Sequence, residues 1–161
     1  MTHRMLPEIL KENATAAAVE AFDATALTGG KFDRGELTLE IAREKIVSVC
    51  GFLKYDLKFV RLSTVTGVDF YPEDPRFAVV YHLHSLQRNE RLRLKCRVPG
   101  SDPEIDSVTE VWRGANWFER ETFDLFGVRF RNHPDLRRIM LPDDWEGHPL
   151  RKDYSVTGSR V

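Results

Sequence analysis

Between Glu90 and Val98 the chain alternates without a break. Leu92, Leu94, Cys96 and Val98 fall on one side, and Arg91, Arg93, Lys95 and Arg97 on the other. A period of two held over eight residues is the pattern of a half-buried β-strand; helical spacing would scatter the same residues around an axis. The Val-, Tyr- and Leu-rich stretch Arg76 to Leu86 precedes it, joined by Gln87-Arg88-Asn89, so two paired strands are expected. Phe59 to Phe70 is rich in Val, Thr and Leu and reads as a third strand. Gly67 is the expected site of a bulge, and the turn Tyr71-Pro72-Glu73-Asp74-Pro75 follows. Leu37, Leu39 and Ile41 alternate with Glu36, Thr38 and Glu40, a further short strand. The row of four cations repels itself unless water or an acidic surface faces it.

Helical patterns surround this sheet. Residues 5–22 read as one helix, with Pro7 in its first turn and the run Ala14 to Ala18 favouring it, ending before the breaker Thr28-Gly29-Gly30. Ala42 to Leu53 places Ile46, Val49, Cys50 and Leu53 at helical spacing. Ser107-x-x-Glu110 fits a capping box opening a helix over 107–126, with Gly127 as its stop. The expected fold is α+β: N-terminal helices packed on a mainly antiparallel sheet, then one amphipathic helix. The chain divides into a globular domain, 1–127, and an extended C-terminal arm, 128–161, that docks on partners. The arm interleaves charges with the apolar residues Phe130, Leu136, Ile139, Met140, Leu141, Trp145, Leu150 and Tyr154, without periodicity. That pattern suits a segment lying along another protein.

Several function classes lose ground on composition. Lys and Arg number 24 against 25 Asp and Glu, so the basic excess of a nucleic-acid binder is missing overall. The basic face 91–97 is the surface such a module would use, and its binding would depend strongly on salt. Cys50 and Cys96 form no CxxC, and two thiols fall short of the four that an iron–sulfur cluster usually takes. They read as buried, reduced hydrophobes. No apolar h-region is expected at the amino end, and Ile46 to Leu53 and Phe77 to Leu83 are far shorter than the roughly 20 residues that span a bilayer. His82 and His84 share a strand face, but two ligands do not make a metal site. No dinucleotide, phosphate-loop, serine-hydrolase or zinc-protease motif is present.

Two residues misfit the helix 107–126. Glu119 lies inside the apolar arc, where a carboxylate must be paired, hydrogen-bonded or protonated. It is either a structural anchor, held by Arg or by backbone donors of the following loop, or a general acid–base with a raised pKa. Trp117 falls on the polar side, together with Glu110, Arg113, Arg120 and Asp124. It lies under the tail, anchors a partner or offers an aromatic platform.

The run Glu119-Arg120-Glu121-Thr122-Phe123-Asp124-Leu125-Phe126-Gly127, then His133-Pro134, Arg137-Arg138-Ile139-Met140 and Trp145-Glu146-Gly147-His148-Pro149-Leu150-Arg151-Lys152-Asp153-Tyr154, resembles the signature of the C-subunit (30-kDa) family of NADH–quinone oxidoreductase, respiratory complex I, of bacterial type. The resemblance covers about 36 to 154. It implies a non-catalytic scaffold subunit of the peripheral arm near the quinone-reducing module, in a complex that passes electrons from NADH to quinone and pumps protons. No cofactor is then expected on this chain, FMN and iron–sulfur clusters being carried by partner subunits. The implied partners are chiefly the D subunit and also the B and I subunits, with no nucleic acid. Membrane association would be indirect, at the cytoplasmic face of the bacterial cell membrane. On this reading Glu119, Arg120, Glu121 and Asp124 organise the helix-to-arm junction. Arg137, Arg138, Trp145, Arg151, Lys152 and Tyr154 hold the arm to partners, with Trp117, His133 and Asp153 as further interface positions. The alternatives are a standalone acid–base enzyme centred on Glu119 and a subunit of a related membrane-bound hydrogenase.

Overall fold

The structure is a computed structural model that describes residues 6–155. Met5 of the expected first helix and Arg160 of the expected arm lie outside the described residues. The chain begins with two helices, α1 (Leu6–Glu12) and α2 (Ala14–Phe22), where one was expected. Asn13 makes the break. Its side-chain oxygen accepts the N–H groups of Thr15 and Ala16, both at 3.0 Å, and so caps a new helix start.

The supposed breaker at Gly29-Gly30 is instead strand β1 (Leu27–Asp33). It pairs antiparallel with β2 (Glu36–Ile41) through Arg34-Gly35, both at positive φ, the twist that a two-residue hairpin requires. Pairing along a whole neighbouring strand overrides the weak local preference of glycine. Helix α3 (Ile46–Tyr55) buries Ile46, Val49, Cys50 and Leu53, the face its spacing predicts.

Strands β3 (Arg61–Asp69), β4 (Phe77–Ser85) and β5 (Glu90–Val98) complete a five-stranded sheet of order β1-β2-β5-β4-β3. Every neighbour pair is antiparallel except β2–β5. The alternation in β5 is realised: Leu92, Leu94, Cys96 and Val98 are buried beside Phe77, Val79, Tyr81 and Leu83 of β4 and Leu37, Leu39 and Ile41 of β2. Both thiols sit in this core, and burial pushes both upward, so they stay protonated.

Strand β6 (Glu104–Asp106) and strand β7 (Arg129–Arg131) pair in parallel on either side of helix α4 (Ala115–Phe126). This helix is shorter than expected. Val108, Val111 and Trp112 do make a helical turn, with Trp112 N–H bonded to the Val108 carbonyl at 2.9 Å, but the regular helix starts only after Gly114. The capping box does not form, because Ser107 turns its hydroxyl to Glu119 and Thr109 while Glu110 stays at the surface. Gly67 carries no bulge either; the register shift in β3 lies between Leu62 and Thr64. Gly67 faces α4, where a Cβ would stand 2.7 Å from the Phe126 ring, so its lack of a side chain lets helix and sheet close up.

Candidate functional site

Helix α4 carries two carboxylates with no exposed surface, Glu119 and Asp124. Glu119 faces the loop before the helix, not the loop after it. Its Oε1 accepts the Val108 N–H at 2.7 Å and its Oε2 the Ser107 hydroxyl at 2.6 Å. Burial pushes the carboxyl up to about 7, against these two bonds, which favour the ionised form. The His133 Nε2 lies 3.9 Å from Oε2. Because His133 Nδ1 accepts the Asp135 N–H, the ring proton sits on Nε2, directed at the Asn116 carbonyl. Burial also keeps that ring below its ordinary pKa, so a neutral imidazole, not an imidazolium, stands next to Glu119.

Asp124 is held differently. Its Oδ1 meets the Arg138 guanidinium at 2.6 Å, and its Oδ2 accepts the N–H groups of Ile139, Met140 and Leu141 at 3.0, 2.7 and 3.0 Å. Burial acts upward, but Arg138 and the three N–H groups outweigh it and hold the carboxyl below its ordinary value. Asp124 and Arg120 were expected on the solvent side of the helix. Both are buried because the tail crosses that side: Arg120 donates to the carbonyls of Arg137 and Arg138, each at 3.1 Å.

The same tail closes the C-terminal end of α4, whose last carbonyls have no partner within the helix. The Asp124 carbonyl accepts from His148 Nδ1 at 2.9 Å, that of Leu125 from Leu150 N–H at 3.0 Å, and that of Phe126 from Arg151 Nε at 2.6 Å. Gly127 sits at φ +75 beneath these groups, and a side chain there would meet Arg151 and the His148 ring. Arg138 additionally donates to the carbonyls of Trp145 and Gly147. A second clasp joins the tail to the sheet. Asp69, on the buried face of β3, binds Arg76 through both oxygens and accepts the Lys152 N–H at 2.8 Å; Arg76 in turn binds Asp153 at 2.6 Å. Arg76 holds the Asp69 carboxyl well below its ordinary range.

The remaining expected residues sit around this junction. Trp117 is 60% exposed and not covered by the tail; the Arg120 guanidinium stacks on it at 5.3 Å. Glu121 and the Lys152 side chain face solvent. Arg137 is exposed, paired with Asp135 at 2.9 Å. Trp145 is half-buried, and Tyr154 packs by Gly147. Sequence reasoning missed Ser107 as the Glu119 partner, and missed Asp69 and Arg76 altogether. Asp69 shares its strand face with Val65, and a carboxylate on an apolar strand face is the signal that could have found it.

Comparison with known proteins identifies the assembly. The family described as respiratory-chain NADH dehydrogenase, 30 Kd subunit, matches residues 39–160. The chain belongs to that family. It is a complex I subunit, with other complex I subunits as partners. It is 54% identical over 140 residues to the C subunit of NADH-quinone oxidoreductase from Geobacter sulfurreducens, covering 86% of each chain. It is 45% identical over 153 residues to the corresponding protein of Roseiflexus castenholzii, covering 93% of this chain and 88% of that one. Among solved structures it resembles a trypsin-resistant fragment of Nqo5, with TM-score 0.66 and 33% identity over 74% of this chain and 97% of that one. It also resembles a chain of the membrane-bound sulfane sulfur reductase, an archaeal respiratory membrane complex, with TM-score 0.75 and 25% identity over 93% and 85% of the two chains. No described helix is long and apolar enough to cross a membrane.

Proposed function

We propose that the chain is a scaffold of the complex I peripheral arm that takes no chemical part in electron transfer. It lies near the quinone-reducing module, against the D subunit first and the B and I subunits next, at the cytoplasmic face of the membrane. FMN and iron–sulfur clusters reside on partner subunits. One observation carries this reading: the charges that α4 buries are answered within the chain, while the junction they fasten leaves large apolar groups outside. Trp117 is 60% exposed, Met140 63%, Leu150 51% and Ile139 37%. Arg120 bonds the carbonyls of residues 137 and 138 and stacks on Trp117, so one guanidinium ties this indole to the backbone that leads into Ile139 and Met140. A rigid mount with an exposed aromatic and flexible apolar neighbours is how a protein–protein anchor is built. The buried, protonated thiols and the water-excluded Glu119 fit a support role.

The test is the double variant W117D/M140D. Incorporation into the complex falls at least about tenfold, as expected for two central anchors, while the isolated chain keeps its unfolding midpoint. Normal incorporation overturns the assignment of this face.

A further inference from the structure

The row of cations on β5 is not uniform. Arg93 binds Glu36 at 2.7 Å. Lys95 lies 4.0 Å from Glu40 and stacks on Phe70. Arg97 meets Glu73 at 3.6 Å, donates to the Pro75 carbonyl and stacks on the same ring at 4.1 Å. Three of the four are therefore answered by this chain. Arg91 has no such partner among the described residues. Directly across from it on β4 stands His84, and across from His84 on β3 stands Arg61, also exposed and without a partner among the described residues. Two arginines thus flank a histidine in register across three strands, and among the described residues no carboxylate answers either of them. The two arginines are about 10 Å apart, two strand spacings.

These groups line a concavity of about 390 Å³ on the outer face of the sheet, with His82, Ser63 and Thr64 on its floor and rim. Among the described residues the only carboxylate lining it is Glu36, already bound by Arg93. The register shift between Leu62 and Thr64 adds Ser63 as an extra residue to this rim while keeping Arg61 opposite His84. Bulges of this kind re-aim side chains beside binding sites. The concavity lies on the opposite pleat from Val65 and Gly67, hence away from α4 and the tail.

We propose that this concavity is a second docking site, which receives an acidic segment of another subunit of the complex, its carboxylates seated on Arg61 and Arg91. The source is a protein segment, because the positive charge is confined. A membrane or nucleic-acid surface would need a broad basic face, whereas Lys95 and Arg97 are neutralised on either side of Phe70 and the chain as a whole carries a net charge of −1. The inference rests on membership in a multi-subunit complex and is independent of the face formed by Trp117 and Met140.

The experiment places the photo-cross-linker p-benzoylphenylalanine at Ser63 in the assembled, detergent-solubilised complex and maps the linked peptide. A link to a Glu/Asp-rich stretch of another complex I subunit is expected, and R61E/R91E abolishes it and lowers retention of the chain at high salt about tenfold. The isolated R61E/R91E chain keeps its unfolding midpoint, since both side chains are exposed and neither arginine has a hydrogen bond or ion pair to lose among the described residues. A link to lipid alone, a link to a subunit segment without acidic residues, no link to any subunit, or unchanged retention of R61E/R91E overturns the proposal. The wild-type arginines with the cross-linker give an answer even if the charge reversal fails to fold.

Discussion

The two ends of α4 treat a buried carboxylate in opposite ways. At the N-terminal end Glu119 receives one N–H and one hydroxyl and no cation, and burial prevails, lifting its pKa to about 7. At the C-terminal end Asp124 receives a guanidinium and three N–H groups, and its pKa falls. The two residues are five apart on one helix and neither side chain reaches solvent, but Glu119 lies deeper, so depth of burial together with the donors and formal charge around each carboxylate decides the outcome. The Glu119 end is a joint whose charge depends on pH. The Asp124 end is a clasp that stays ionised and gathers the tail.

The sharpest way to break this contrast is Asp124→Ala. It leaves Arg138 without its counter-ion and three N–H groups without an acceptor, and a buried pair broken on one side costs about 3–5 kcal/mol. Urea unfolding should record that loss, and trypsin should cut the tail at Arg151 and Lys152 faster than in the parent chain. A loss below about 1 kcal/mol means the tail is fastened elsewhere.

Next comes the pH profile. The folded pKa of Glu119 lies above its ordinary value of 4.5, so between about 4.5 and 7 the folded chain keeps a proton that the unfolded chain has released. Its contribution is therefore fully present below pH 4.5 and is lost as pH rises through about 7, a fall of up to about 3 kcal/mol. Glu119→Gln cannot ionise, so the stability of wild type relative to this variant should drop over that window. A flat difference would mean that Glu119 is ionised throughout and the two ends are alike.

Gly127→Ala follows, at about 2 kcal/mol, from the left-handed backbone and the crowding by His148 and Arg151. Its effect should shrink in a chain cut before His148, since the tail supplies the crowding. Smallest is Trp117→Ala in the isolated chain, within about 0.5 kcal/mol in denaturant melts, because the indole packs on Arg120 and otherwise meets water.

What could be read from the sequence follows from what kind of partner each residue has. The strands β4 and β5 were legible because their partner is a flat apolar layer, and period two records it directly. The cations of β5 were legible as a row, but their division into three answered and one unanswered depends on Glu36, Glu40 and Glu73, which only the register brings into place. Glu119 was legible as a misfit, since a carboxylate in an apolar arc contradicts its neighbours. Its partner was not: Ser107 carried a plausible local role as a cap, and the bond it makes reaches twelve residues along the chain. The tail hid the most. Its backbone N–H groups and carbonyls make most of the bonds to Arg120, Asp124 and the end of α4, and main-chain partners leave no mark in residue type. The signature residues Arg138, His148 and Arg151 are the exception, each donating to a main-chain carbonyl of α4.

A chain that supplies fit and not chemistry, as proposed, leaves turnover untouched wherever the complex assembles. The most direct test compares the amount of assembled complex with NADH:quinone turnover per assembled complex across E119Q, D124N and W117D/M140D, by native gel and activity on the same samples. On this proposal, assembly should fall for W117D/M140D and D124N and stay normal for E119Q, with turnover per complex unchanged in all three. Normal assembly of E119Q with turnover lost would contradict it and make Glu119 a participant in the reaction.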